Sequence, residues 1–366
     1  MEQLKTTYLH DRHVALGALM SPFGGFDMPI QYKGIVEEHN AVRQRCGVFD
    51  VSHMGEVRVS GSDACRFVNH IFSNDIAGAP DGKIFYGMML NADGGVVDDL
   101  LVYKVSDDEY FLVINASNID KDVKWIKSHA GAFDVTVEDE SDVYSQIAVQ
   151  GPDAERCMRD VLGMDSSGLD FYTFETWKVY DGDPDIIVSR TGYTGEDGFE
   201  IYASDERISE FWDMLVKAGV QPCGLGCRDT LRFEAGLPLY GDELDEDITP
   251  LEAGLGMFVK MDKPEFIGKD ALAAQKAAGL ARKCVGLKVE GQAIPRHGYE
   301  VLDAAGNVVG AVTTGYHSIT LDENLAMALV SAGHSKVGTG LQVRVRRKVF
   351  PATVIGKRFY TPNYKK

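Results

Sequence analysis

The side chains able to do chemistry gather in three polar segments set in apolar surroundings. The first is Asn91-Ala92-Asp93-Gly94-Gly95-Val96-Val97-Asp98-Asp99-Leu100-Leu101-Val102-Tyr103, with two acids at the front of an apolar strand. Adjacent strand residues face opposite ways, so only one of Asp98 and Asp99 can point into a given cavity. Asp99 shares its face with Leu101 and Tyr103, and Asp98 shares its own with Val96, Leu100 and Val102. An inward carboxylate can orient or deprotonate an amine nucleophile, or stabilise a cationic iminium. The plainer alternative is a Gly94-Gly95 turn with both acids solvated at its edge.

The second segment runs from Arg190 to Tyr202, where Asp197-Gly198 signals a tight turn and Glu200 falls on the return strand. A carboxylate there can accept two parallel N–H bonds from a planar, amidine-like edge such as a 2-aminopyrimidinone. The alternative is a plain hairpin with an exposed acid. The third segment, Gly224 to Gly236, reads as a glycine-opened helix carrying Arg228, Arg232 and Glu234 among Leu, Phe and Ala. Buried charges need partners, so it holds either an internal ion-pair network or a contact to an anionic ligand. A phosphate nest is a weaker reading, because no Lys or Ser/Thr follows in the P-loop arrangement. The sequence also lacks a Gly-x-Gly-x-x-Gly helix opening, a His-Glu-x-x-His pair and a Gly-x-Ser-x-Gly elbow.

The elements that must position these residues follow from periodicity. Gly34–Cys46 reads as a helix stopped by Gly47, and Glu56–Ser60 as a half-buried strand. Val96–Val105 and Tyr110–Asn115 form a hairpin around Ser106-Asp107-Asp108-Glu109, and a helix follows. In Asp205–Val220, Ile208, Phe211, Trp212, Leu215 and Val216 repeat at helical spacing, with Gly219 ending the run. From Lys283 onward short strands alternate with Gly turns, among them Gly298–Leu302 and Val308–Thr313, as expected of a separate β domain. Helices and strands mix irregularly before that point, so the class is α+β.

Bulk properties narrow the partners. A formal net charge of −18 repels a phosphate backbone, which argues against nucleic acid. No run nears the ~18 apolar residues of a membrane span, and Met-Glu-Gln-Leu-Lys lacks a secretory apolar block, so a cytoplasmic location is expected. The scattered cysteines Cys46, Cys65, Cys157, Cys223, Cys227 and Cys284 are read as reduced core thiols, and no metal site is expected. After Glu323 no acid remains, whereas Lys336, Arg344, Arg346, Arg347, Lys348, Lys357, Arg358, Lys365 and Lys366 follow. Such a basic segment either docks an acidic partner or ligand tail, or is a solvated strand face.

Taken with Phe49-Asp50-Val51-Ser52-His53-Met54, the three segments resemble the aminomethyltransferase family, the T-proteins of the glycine cleavage system. The resemblance extends over Gly25-Phe26-Asp27-Met28-Pro29, Ala148-Val149-Gln150-Gly151-Pro152, Leu239-Tyr240-Gly241-Asp242-Glu243-Leu244-Asp245-Glu246 and Phe266-Ile267-Gly268-Lys269, essentially the whole chain. Phe26 stands where the family usually carries a tryptophan, which keeps an aromatic in place.

The resemblance implies an α+β, three-domain cloverleaf around a central folate cavity, with a C-terminal β-barrel or jelly-roll-like domain. The implied division is residues 1–50 plus 140–265 as a discontinuous first domain, 51–139 as a second and 280–366 as the third. It implies transfer of an aminomethyl carbon from the lipoyl arm of a separate H-protein to tetrahydrofolate, giving 5,10-methylene-tetrahydrofolate, ammonia and dihydrolipoyl H-protein, with neither metal nor flavin. By the same resemblance Asp99 is the catalytic acid, Glu200 binds the pterin, and Arg228 contacts the folate or anchors its acid. Tyr86, Tyr103, Asn115 and Tyr193 line the pocket, and His53 is structural. Folate-dependent demethylases share this fold and are the nearest alternative. A non-enzymatic folate-binding accessory protein is a further one, though its Lys-Gly-Cys-Tyr-x-Gly-Gln-Glu signature is missing here.

Overall fold

Three large sheets and one two-stranded hairpin, Leu19–Phe23 with Phe26–Gln31, organise the described residues, 4–179 and 182–364, of this computed structural model. A six-stranded sheet runs in the order Phe174–Trp177, Ile186–Ser189, Gly198–Ala203, Ser145–Gln150, Gly47–Asp50, Gln221–Pro222. Its fourth and fifth strands make a long-range pair: Asp50 lies opposite Ile147, so the chain leaves this sheet after residue 50 and returns to it at 145. The strands at its centre are buried on both faces because helices Asp205–Lys217 and Ala154–Leu162 cover one side, with Trp212, Leu215 and Met158 in a common core.

The excursion builds a five-stranded sheet ordered Ile84–Leu90, Val96–Ser106, Glu109–Ile114, Gly55–Ser60, Thr136–Asp139. The expected hairpin is present, as Val96–Ser106 and Glu109–Ile114, and helix Ile119–His129 follows it. Helix Ala64–Ile71 sends Phe67, Val68 and Ile71 into the apolar core beneath this sheet, together with Ile126 of the later helix.

The third unit is a closed six-stranded barrel, Arg282–Val289, Glu323–Ser331, Val308–Ser318, Glu300–Leu302, Gly340–Val345, Lys348–Ile355. Its interior is filled by Leu287, Val301, Val312, Ala328, Val343 and Val354, which leaves no channel.

The predicted helices appear as Ile35–Gln44, Asp205–Lys217 and Leu225–Ala235. The last ends at Gly236 with φ 73, and a Cβ there would come within 2.7 Å of the Lys357 carbonyl. This position requires glycine twice over, for its left-handed backbone and for the close approach of the C-terminal segment. Among the described residues no helix is long and apolar enough to cross a membrane.

Candidate active site

Where the sheets converge lies a cavity of about 450 Å³ whose wall includes Tyr86, Asp99, Asn115, Tyr193, Glu200 and Arg228. Six of the seven residues singled out from the sequence therefore come together. They arrive from strands Ile84–Leu90, Val96–Ser106 and Gly198–Ala203, helix Leu225–Ala235 and the loops at residues 115 and 193.

The seventh does not reach the wall. Tyr103 is fully buried behind it, its hydroxyl bonded to Tyr202 at 2.9 Å and Ser189 at 3.1 Å. Alternation alone put Tyr103 on the Asp99 face, but that far along the strand the face is covered by the six-stranded sheet. Tyr202, which covers it, lines the cavity at that point instead.

Asp98 and Asp99 divide as the strand pleat requires. Asp99 faces the cavity, with its Oδ2 receiving the Tyr86 hydroxyl at 2.8 Å and its Oδ1 receiving Asn115 Nδ2 at 3.0 Å. Asp98 points the other way and is completely buried. Neither is solvated at a turn. Asn91–Gly95 does turn, but the backbone of residues 245–248 lies directly on it: Val96 N donates to Asp245 O at 2.9 Å, and a Cβ on Gly95 would sit 1.7 Å from Glu246 O. Burial, and next the neighbouring Asp98, raise the Asp99 carboxyl to about 7.

Glu200 is buried on the six-stranded sheet, and its Oε2 accepts the Thr191 hydroxyl at 2.5 Å. Burial raises its proton affinity, while Thr191 and Arg228 oppose the rise. The expected tight turn at Asp197-Gly198 is instead an eight-residue loop between strands Ile186–Ser189 and Gly198–Ala203. Its shape is held by Arg190, which clamps Asp197 at 2.9 and 2.6 Å and Glu155 at 2.8 Å. Gly198 opens the strand, and the loop folds Tyr193 inward, where its hydroxyl donates to Pro238 O.

Of the two readings of the third segment, the internal network is present at Arg232 and Glu234. Arg232 is fully buried and meets Glu243 at 2.9 Å and Asp229 at 2.6 Å, while Glu234 accepts Ser318 and Thr320 hydroxyls at 2.6 Å each. Those two residues form an internal network joining the helix to the barrel. Arg228, one helical turn earlier, has no carboxylate within salt-bridge distance among the described residues. Its guanidinium lies 4.7 Å over the Tyr193 ring, on the cavity wall. A half-buried cation on a cavity wall, with no anion beside it, is open to a polar or anionic ligand.

Two more side chains are incomplete in the same way. Gln146 and His53 are each 2% exposed, line the cavity, and leave Oε1 and Nδ1 without a hydrogen-bond partner. Burial, with Arg228 second, lowers His53 to about 4, so it is neutral. Its place on the wall differs from the purely structural role expected of it. Gln146 lies opposite Tyr202 in the register, two residues from Ala148, the partner of Glu200. The sequence carried no local sign of Gln146, Tyr172 or Tyr202, since their arrival depends on which strands pair. Tyr172 sits at φ 63 and also lines the cavity.

The basic segment is split in two. Lys357 and Arg358 reach the cavity, where Lys357 Nζ donates to Ala253 O. Arg346 and Arg347 are exposed at the hairpin between strands Gly340–Val345 and Lys348–Ile355. Strand Lys348–Ile355 separates the two pairs, about 25 Å at ~3.3 Å per residue, so of these four only Lys357 and Arg358 line the cavity. Lys365 and Lys366 lie outside the described residues.

Comparisons with known proteins agree with this geometry. The family model described as GCVT N-terminal domain matches residues 9–263, and that described as Glycine cleavage T-protein C-terminal barrel domain matches 282–361. The chain is 49% identical to the aminomethyltransferase of Alkaliphilus oremlandii and 51% identical to that of Clostridium botulinum, each over 370 residues and the full length of both proteins. A crystal structure of glycine cleavage system aminomethyltransferase T from Bartonella henselae superposes with a TM-score of 0.94 at 32% identity, covering 100% of both chains. The folded wall that collects Asp99, Glu200 and Arg228, the C-terminal barrel and these likenesses have one meaning: the chain belongs to the aminomethyltransferase family, the T-proteins of the glycine cleavage system.

Proposed function

We propose that the cavity holds tetrahydrofolate, and that the chain moves the aminomethyl carbon from the lipoyl arm of H-protein onto it, releasing ammonia and dihydrolipoyl H-protein. The observation that carries the reading is the set of unsatisfied polar groups in the cavity. Among the described residues Arg228 has no carboxylate within salt-bridge distance, Gln146 Oε1 and His53 Nδ1 have no partner, and Glu200 Oε1 receives no donor. A flat heterocycle edged with N–H and C=O groups completes such a set, and the aromatic surfaces of Tyr86, Tyr172, Tyr193 and Phe258 suit its faces.

Asp99 is the catalytic residue in this reading. Tyr86 and Asn115 fix the plane of its carboxyl group. With a proton affinity near neutrality it can take a proton from an attacking amine and return one to the departing amine. Its anion, in a site from which water is largely excluded, also stabilises a cationic intermediate. Glu200 orients the heterocycle through charge-assisted N–H bonds. Lys357 and Arg358 at the mouth take the acidic folate tail or an acidic face of H-protein.

The same reading divides the chain into residues 1–50 with 140–265, 51–139 and 280–366; the pairing of Gly47–Asp50 with Ser145–Gln150 supports a discontinuous first unit. It carries with it a cytoplasmic location. The test is ammonia release from aminomethylated lipoyl H-protein with and without tetrahydrofolate. Strong stimulation is expected. Tight folate binding without stimulation would overturn the reading in favour of a demethylase or an accessory protein.

A further inference from the structure

Behind the cavity wall lies a second acidic centre. Asp98, fully buried, accepts three N–H bonds: Asn115 N to Oδ2 at 3.0 Å, and Asn115 Nδ2 and Asn118 Nδ2 to Oδ1 at 2.8 Å each. The Asn115 amide that binds Asp98 also binds Asp99 Oδ1, so one NH₂ group bridges two carboxyls that face opposite sides of one strand. Asn115 is held on its own strand's end by the backbone bond to Asp98, which leaves its side chain little freedom. A third carboxyl, Asp122 of helix Ile119–His129, is 0% exposed and lies against Asp98.

Two buried carboxyls in contact cannot both be ionised and must share a proton. Asp98 already accepts three N–H bonds, whereas neither oxygen of Asp122 receives one from a described donor. The proton therefore belongs to Asp122, and the hydrogen-bonded anion is Asp98. Lys121 of that helix stands 3.6 Å from Asp122 and donates to Val97 O and to the Tyr240 hydroxyl at 3.0 Å.

We propose that Asp98 is a positioning residue for the transfer reaction: a single buried anion, clamped by Asn115 and Asn118 and capped by protonated Asp122, that aims the Asp99 carboxyl and sets how firmly Asp99 holds its proton. The inference rests on the catalytic reading of Asp99 given above. The groups facing the pair are Asp122 and Lys121 from the helix and Tyr240 from the covering loop; on the cavity side Tyr86, Tyr172 and Tyr193 face Asp99. Asp122, held at about 10 by burial first and Asp98 second, stays protonated throughout the working range. An anion at Asp98 opposes ionisation of Asp99, so it keeps Asp99 within reach of neutral pH, where a carboxyl can both give and accept a proton.

The test uses the full chain with aminomethylated H-protein and tetrahydrofolate, following kcat against pH. Wild type should show an acid limb near the titration of Asp99, about 7. Asp98→Asn removes the charge and should move that limb down by about one pH unit, the size of a single neighbouring-charge effect, while tetrahydrofolate still binds. The variant then retains more of its own maximum below the wild-type limb than wild type does. Carboxyl ¹³C NMR of Asp99 should shift the same way without reference to turnover. A lowered maximum with an unmoved limb and unmoved Asp99 titration would make Asp98 merely structural and overturn the proposal. If Asp98→Asn does not fold, Asp122→Asn decides: it replaces one neutral group by another, so the limb should stay in place, and a downward shift would put the charge on Asp122 and overturn it. Absence of tetrahydrofolate stimulation in wild type would instead defeat the catalytic reading, leaving the NMR titration to judge Asp98.

Discussion

Arg232 and Glu243 meet at 2.9 Å with both side chains out of solvent, and Glu243 also accepts the hydroxyls of Thr313 and Thr314 from the barrel at 2.5 and 2.7 Å. This pair is where the cavity-bearing helix is fastened to the barrel. Arg232→Met leaves Glu243 a buried anion without its cation, a change that costs about 3–5 kcal/mol. A fall in melting temperature with near-normal folate affinity in the surviving protein is expected. A melting temperature equal to wild type would show that the hydroxyls alone hold Glu243.

Glu234 gives the junction a pH dependence. His39, Ser318 and Thr320 outweigh burial and hold its carboxyl well below the usual range. Stability from a carboxyl lowered on folding is present above the unfolded value, ~4.3, and is lost as pH falls below it. Thermal unfolding of wild type and Glu234→Gln should therefore differ at neutral pH and converge in acid. A constant difference at all pH values would remove Glu234 from the acid response.

Asp99 has the opposite sign. Its folded value, about 7, is raised, so its ionisation costs stability increasingly as pH rises from ~4 to 7 and fully above that. Asp99→Asn should raise the melting temperature at pH 8 while kcat falls by about 100-fold or more, the usual worth of a positioned proton carrier. Retained turnover would disqualify Asp99.

Glu200→Ala should act on affinity. Losing a charge-assisted bond to the ligand is worth about 1.5–3 kcal/mol, roughly 10- to 100-fold in Kd, with kcat at saturation much less affected. Isothermal titration with tetrahydrofolate separates the two. An equal loss in kcat would mean that Glu200 works in the chemical step.

At the mouth, Lys357→Ala with Arg358→Ala should weaken binding of polyglutamylated tetrahydrofolate and flatten its salt dependence, whereas Arg346→Ala with Arg347→Ala should change neither. The reverse pattern would place the docking charge on the hairpin tip.

Much of this was readable from the residues. Alternation along 96–103 fixed that Asp98 and Asp99 oppose each other, and helical spacing fixed the run from Ile208 to Val216. Periodicity put Tyr103 on the Asp99 face but cannot say what lies above a strand; the pocket-lining place that the family resemblance implied for Tyr103 is roofed over by Tyr202. Nor can it say that the backbone near Glu246 shuts solvent away from Gly95. Gln146 enters the cavity only because Ser145–Gln150 pairs with Gly198–Ala203, a contact some fifty residues long-range. Hairpin Leu19–Phe23 with Phe26–Gln31 had a local signal that was passed over: Gly24 and Gly25, at φ 57 and 84, form the two-residue turn favoured between antiparallel strands.

The segment after the barrel hooks back onto the cavity: Phe359 N and Tyr360 N donate to Glu234 O at 3.0 and 2.7 Å, Asn363 N donates to Gly195 O at 2.8 Å, and Lys357, Arg358 and Tyr364 line the wall. During synthesis the two earlier sheets can therefore form while this side of the site still stands open. A chain truncated shortly after Ile355 would keep every barrel strand and still present a breached cavity, so ligand binding reports on the completion of translation past residue 364 in a way that folding of the sheets does not.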